Sequence, residues 1–143
     1  MAWSQSRRAV SKSSFNVALS KQRLAKAGDA PALASLCFDT ATLKEDLDTA
    51  LRDCDQAIKL MPNIAGYRTS RALVLYQQGK YQDALEGFNA ALALNPKLDP
   101  ALLMRGATKG KLSDAGGHDA DVAAAKAING DVEISFKQFE VAL

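Results

Sequence analysis

The chain has 143 residues, 48% hydrophobic and 24% charged, enough for one domain with a buried core that needs no stapling to fold. Aromatic residues make up only 6% and alanine is abundant, which excludes a thick β-sandwich core, and no run approaches the ~18 apolar residues of a membrane span. The net charge of +2 is unevenly divided: residues 1–28 hold Arg7, Arg8, Lys12, Lys21, Arg23 and Lys26 with no carboxylate, and all 16 acidic residues follow.

Residues 1–13 read as a basic, Ser/Arg-rich arm carrying Trp3. Residues 14–30 read as an amphipathic helix, with Phe15, Ala18, Leu19 and Ala25 on one face and Gly28 as its stop. The start holds no uninterrupted apolar h-region, so cytoplasmic placement is expected; an organelle-type transit segment is the alternative. The arm has two readings, a solvated terminus or a contact for nucleic acid, lipid headgroups or an acidic protein.

From residue 31 the chain echoes itself every 34 residues: Ala57, Leu60 and Pro62 return as Ala91, Leu94 and Pro96, then as Ala125, Ile128 and Gly130. A helical pair of that size cannot bury its own apolar face, so the period predicts three stacked units over residues 31–64, 65–98 and 99–132. In the middle unit, periodicity predicts helices over 67–78 and 81–94, broken at Gly79 and Lys80 and ended by Asn95 and Pro96. Ala72, Ala84 and Ala91 permit close approach while Phe88 fills the wider gap. In the third unit His118 takes the slot of Ala84 beside Gly116 and Gly117, so its second helix is expected to start late or irregularly. Residues 133–143 read as a capping helix, or alternatively a dimerisation helix: Val132, Phe136, Phe139 and Leu143 form one stripe, with Asp131 as N-cap.

The set Ala72, Gly79, Tyr81, Ala84, Phe88, Ala91 and Pro96 resembles a tetratricopeptide repeat. The preceding unit carries Phe38, Leu47, Ala50, Cys54, Ala57 and Pro62 in register, and the following one Gly106, Leu112, Ala115, Val122, Ala125 and Gly130. The resemblance, to small bacterial-type members of that family, implies an all-α fold: a right-handed α–α superhelix of three helical hairpins between N-terminal and C-terminal capping helices. Departures are Ala34, Arg68 and Leu102 in the slot that usually opens the first helix, and Cys54 and Val122 where Phe88 stands in the middle unit.

The resemblance also implies a function: a non-catalytic adaptor or scaffold that holds a protein or peptide partner in a concave groove lined by the first helices. By register that groove comprises Ser35, Leu36, Asp39 and Thr42, then Thr69, Ser70, Leu73 and Tyr76, then Leu103, Met104, Ala107 and Lys111. The slots of the chaperone-type carboxylate clamp hold Ser35, Asp39, Ser70, Pro100 and Met104, none cationic, so no such clamp is expected. The bland alternative has these residues only packing on the terminal helices. Self-association through the terminal helices, with a homodimer, and nucleic-acid or membrane-surface association through the basic arm are the other readings. Nucleic acid is the less expected partner.

No catalytic, cofactor-binding or metal residue is assigned. His118 beside Asp119 and Asp121 lacks a nucleophile or oxyanion loop, and one His with two Cys builds no closed zinc site. Cys37 and Cys54 fall at one level of the first hairpin. With helix axes ~8–10 Å apart they read as two reduced, buried thiols, a bridge requiring an unusually close crossing. Arg71 and Arg105 recur at the repeat period, and Asp53 and Asp121 at twice it. They read as structural ion pairs between stacked units, or alternatively as a grip on an acidic ligand.

Overall fold

The structure, a computed structural model, describes residues 28–137. The basic arm, nearly all of the helix expected over 14–30, and Phe139 and Leu143 of the terminal stripe lie outside the described residues, as does the Phe136 side chain. Seven helices follow in order: α1 Ala30–Leu43, α2 Leu47–Leu60, α3 Ala65–Gln77, α4 Tyr81–Leu94, α5 Asp99–Lys111, α6 Ala115–Ile128 and α7 Val132–Lys137. No strand occurs among the described residues, and no helix there is long and apolar enough to cross a membrane.

The helix boundaries have local causes. The second helices end at Leu60, Leu94 and Ile128, 34 residues apart, ahead of Pro62, Pro96 and Gly130. The α3–α4 turn closes with Gly79 at φ 78, its amide on the Tyr76 carbonyl and the Lys80 amide on Leu75. In the third unit Ser113 takes the same left-handed conformation at φ 66, where a side chain costs ~1 kcal/mol. Contrary to expectation, α6 starts on register at Ala115, because the Asp114 carboxylate caps it by accepting from the Gly117 amide at 2.9 Å.

Each helix packs on the next, and the first helices also touch one another in a row α1–α3–α5, which α7 extends by packing on α5 and α6. Val132 of α7 is buried there, and Lys126 of α6 pairs with Glu133 at 3.1 Å. α7 therefore stands where a fourth unit's first helix would stand. The shared core runs through all three hairpins, with Ala50, Ala57, Ala72, Ala84, Phe88, Ala91 and Ala125 fully buried.

Close crossings are set by exchange of size between facing slots. A methyl added at Gly87 would come within 2.8 Å of the Ala72 Cβ, so α3 and α4 meet there without room for one more carbon. One repeat later the glycine has changed sides: Gly106 occupies the Ala72 slot and Asp121 the Gly87 slot, and a methyl at Gly106 would lie 3.2 Å from the Asp121 Cβ. His118 is accommodated similarly. It takes the Ala84 slot while Gly110 takes that of Tyr76, and its Nδ1 donates to the Gly106 carbonyl at 2.9 Å.

The expectation for the cysteines is overturned. Cys37 and Cys54 form a disulfide across α1 and α2, with Cα atoms 5.5 Å apart and both residues fully buried. Axis spacing is the wrong measure for inward-facing residues: each Cα lies ~2.3 Å from its own axis, so axes ~8–10 Å apart leave facing Cα atoms ~3.5–5.5 Å apart. The level assignment was the decisive fact. It stands because Ala41 and Ala50, both fully buried, carry nothing that would hold the helices apart.

Candidate functional site

On α1, Ser35, Phe38 and Asp39 share one face at i, i+3 and i+4, and on α3 Tyr67 and Ser70 share another. Where these two first helices run side by side they leave an open groove of about 370 Å³, lined by those residues together with Pro31, Ala34 and Gly66. Gly66 has no atom within 4 Å of its missing Cβ, so the floor at this end is open space. The Ser70 hydroxyl donates to the Gly66 carbonyl at 3.1 Å and keeps its lone pairs as acceptors.

Among the described residues Asp39 is the only charged one lining this groove. Burial pushes its carboxyl above the ordinary range, and among the described residues no donor or cation pairs with it. The cations of α3 are committed elsewhere: Arg68 donates to the Pro62 carbonyl at 3.1 Å, and Arg71 pairs with Asp55 of α2. Helix α1 itself contains no cation.

The twelve residues expected to line one concave groove divide three ways. Ser35, Asp39 and Ser70 line the α1–α3 groove. Ala107 and Lys111 line a separate hollow of about 350 Å³ between α5 and α6, beside His118. Leu36, Thr42, Thr69, Leu73, Tyr76, Leu103 and Met104 are buried. Leu73, Tyr76, Leu103 and Met104 belong to the shared core, because the first helices pack directly on one another. Thr42 and Thr69 turn their hydroxyls onto the Asp39 and Ala65 carbonyls. Tyr76 sets its ring edge-on to Tyr81, with centroids 5.4 Å apart, and burial followed by Tyr81 pushes its phenol up to about 12. Phe38 and Tyr67 were missing from the expected groove; their signal was spacing, since each lies three residues from an expected member, Ser35 or Ser70.

The repeating arginines act inside the array. Arg105 grips Asp121 with Nε and Nη2, both at 2.7 Å, and donates Nη1 to Asn89 of the preceding unit at 3.1 Å. Lys109 adds a contact to the same carboxylate at 2.9 Å. With every arm of Arg105 occupied and Asp121 only 5% exposed, the structural reading prevails for Arg105, although its ion pair joins α5 to α6 within one unit and it is Arg71 whose pair crosses between units. The carboxylate partner of Arg71 is Asp55, not Asp53, and Gly87 stands in the slot where Asp121 serves Arg105.

Residues 66–98 match the family model described as Tetratricopeptide repeat. A curated relative, the SGT1 homolog protein of Bos taurus, is 33% identical over 69 residues, 48% of this chain, and the chain spans only 20% of that relative's length. Among solved structures, a thermophilic tetratricopeptide-repeat protein of Thermus thermophilus (TTC0263) superposes with a TM-score of 0.77 at 17% identity, covering 97% of this chain and 78% of that one. The first such domain of the human RPAP3 protein superposes at 0.67 and 18% identity, covering 78% and 89%. At such identities the likeness speaks for the fold, an all-α superhelix. Repeat period, hairpin stacking and family model agree: residues 66–98 form a tetratricopeptide repeat, and the described helices have the fold of tetratricopeptide-repeat proteins.

Proposed function

We propose that this chain is a non-catalytic interaction module that holds a segment of another protein in the groove between α1 and α3. The observation that carries the reading is the groove itself: about 370 Å³ of open space on the row of first helices, walled by the aromatic residues Phe38 and Tyr67. It combines apolar walls with few polar groups, the composition of a recognition site. Most of the other residues expected to meet a partner are in the core, so binding concentrates between the first two hairpins. The test is capture from the native host's extract by wild type and by a Ser35→Arg/Tyr67→Ala variant. Loss of specific proteins from the variant supports the reading, and an identical set sinks it.

A second reading is self-association through the terminal helices, favoured by Ile134 on α7, which is 58% exposed, and by the neighbouring exposed Ile128. Sedimentation velocity over a wide concentration range decides it, since a monomer throughout removes it. Placement in the cytoplasm belongs to the proposal as well. The Cys37–Cys54 bridge weighs against that placement, because a reducing cytoplasm would open it; trapping the thiols in intact cells decides, and an oxidised bridge removes the cytoplasmic placement.

A further inference from the structure

Among the described residues the α1–α3 groove is lined by one carboxylate, two serine hydroxyls and two aromatic walls, and by no cation. From this set we infer that the groove recognises a basic side chain, a lysine ammonium, displayed by an apolar peptide segment of the partner. The inference rests on the proposed groove reading and names its chemistry. An ammonium is a compact point charge with three donors. Asp39 offers a carboxylate, and Ser35 and Ser70 offer hydroxyl oxygens, so acceptors of the right type line one groove. The four-carbon stem of a lysine would lie along Phe38 and Tyr67, and aromatic faces attract cations as well as methylenes.

Charge complementarity favours this occupant over an acidic or neutral one. Every cation that α3 could turn toward the groove is already held by another group, Arg68 by the Pro62 carbonyl and Arg71 by Asp55. On α5, Arg105 and Lys109 are both held by Asp121. An acidic segment would thus meet an uncompensated carboxylate, whereas a lysine would supply the missing partner. Arginine is the competing basic side chain, since its fork can take both oxygens of one carboxylate as Arg105 does on Asp121; lysine is the occupant inferred because its three donors match one carboxylate and two serine hydroxyls.

The test is a titration of the ¹⁵N-labelled full chain, followed by amide shifts, with four acetylated, amidated tripeptides: Leu-Lys-Leu, Leu-Arg-Leu, Leu-Gln-Leu and Leu-Glu-Leu. Leu-Lys-Leu is expected to move amides within residues 35–39 and 66–70 at the lowest concentration. Asp39→Asn is expected to weaken that response about tenfold, the loss of one charge-assisted hydrogen bond. Asp39→Lys should reverse the order in favour of Leu-Glu-Leu, while Glu86→Gln on exposed α4 leaves it unchanged. Unchanged amide dispersion outside the groove reports that each variant is folded. If Leu-Gln-Leu moves the groove amides as strongly as Leu-Lys-Leu, the charge selectivity is overturned while the groove reading stands. Tighter binding of Leu-Arg-Leu overturns the ammonium assignment. If no tripeptide moves those amides, the groove reading itself falls.

Discussion

Reduction of the Cys37–Cys54 bridge is the sharpest perturbation of this fold, because it removes one covalent bond and leaves every other atom in place. The bridge closes a loop with a sequence separation of 17. In the chain-entropy model a closed loop of that length destabilises the unfolded state by ~3 kcal/mol. For a domain of this size each kcal/mol moves the melting temperature by roughly 4 °C, so reduction should lower it by roughly 12 °C. The assay is thermal unfolding followed by circular dichroism with and without a phosphine reductant, on protein whose thiols have been counted after denaturation in an alkylating agent. A Cys37→Ala/Cys54→Ala variant supplies the control: its melting temperature should be low and indifferent to reductant. Two titratable thiols in the untreated protein would refute the bridge. An intact bridge whose reduction leaves the transition unmoved would refute the entropic reasoning.

Arg105→Met should destabilise the chain by about 2–3 kcal/mol in urea, since it strips the fork from a nearly buried carboxylate, whereas Arg71→Met, at a more exposed pair, should cost no more than ~1 kcal/mol. Burial pushes the Asp121 carboxyl up, but the hydrogen bonds from Arg105 and Lys109 together outweigh it and leave the group below its ordinary value. Its stabilisation is therefore complete above the unfolded value of ~4 and lost as pH falls through the folded one, so Asp121→Asn should flatten the acid limb of a stability–pH curve. Gly87→Ala should cost about 1–3 kcal/mol by overpacking Ala72, while Gly116→Ala, with nothing within 4 Å, should stabilise by up to ~1 kcal/mol; equal effects in chemical denaturation would refute the close crossing. Asp39 is raised by burial, so its charge opposes folding once pH exceeds its folded value. Asp39→Asn should melt at or above wild type at pH 7 and lose that advantage in acid, and a lower melting temperature at pH 7 would contradict the assignment.

The architecture was legible because its signals are local and repeated. Prolines and glycines at a constant 34-residue spacing end the second helices, and alanines at matching slots mark the crossings. Pairwise facts were less legible. The irregular start expected for α6 came from judging His118 by its own slot, although the facing slot had changed from Tyr76 to Gly110 and restored the fit. The groove suffered from the same one-sided view. Register places Leu73, Leu103 and Met104 on the first helices, but only the direct contact of those helices shows that such side chains are consumed in the core. Of the surviving site members, Ser35 and Asp39 are exposed and polar, as residues that stay near water should be, while Ser70 is buried with its hydroxyl on the Gly66 carbonyl.

The bridge and the groove share one helix, α1, and this follows from where α1 sits. The described helices that touch α1 are α2 and α3, whereas α3 and α5 each have neighbours on both sides of the row. Among the described residues α1 has fewer helix partners than α3 or α5, and Cys54 in the Phe88 slot leaves α2 a smaller side chain to pack against it. A covalent tie replaces that packing. Cys37 lies on α1 between Ser35 and Asp39, one residue from Phe38, so the bridge anchors the helical turn that forms the groove's wall. The loss of aromatic packing in the first unit and the presence of an open, charged groove there are thus two aspects of one arrangement. The large side chain that fills the middle hairpin is absent from the first, and the disulfide ties α1 to α2 beside the proposed groove.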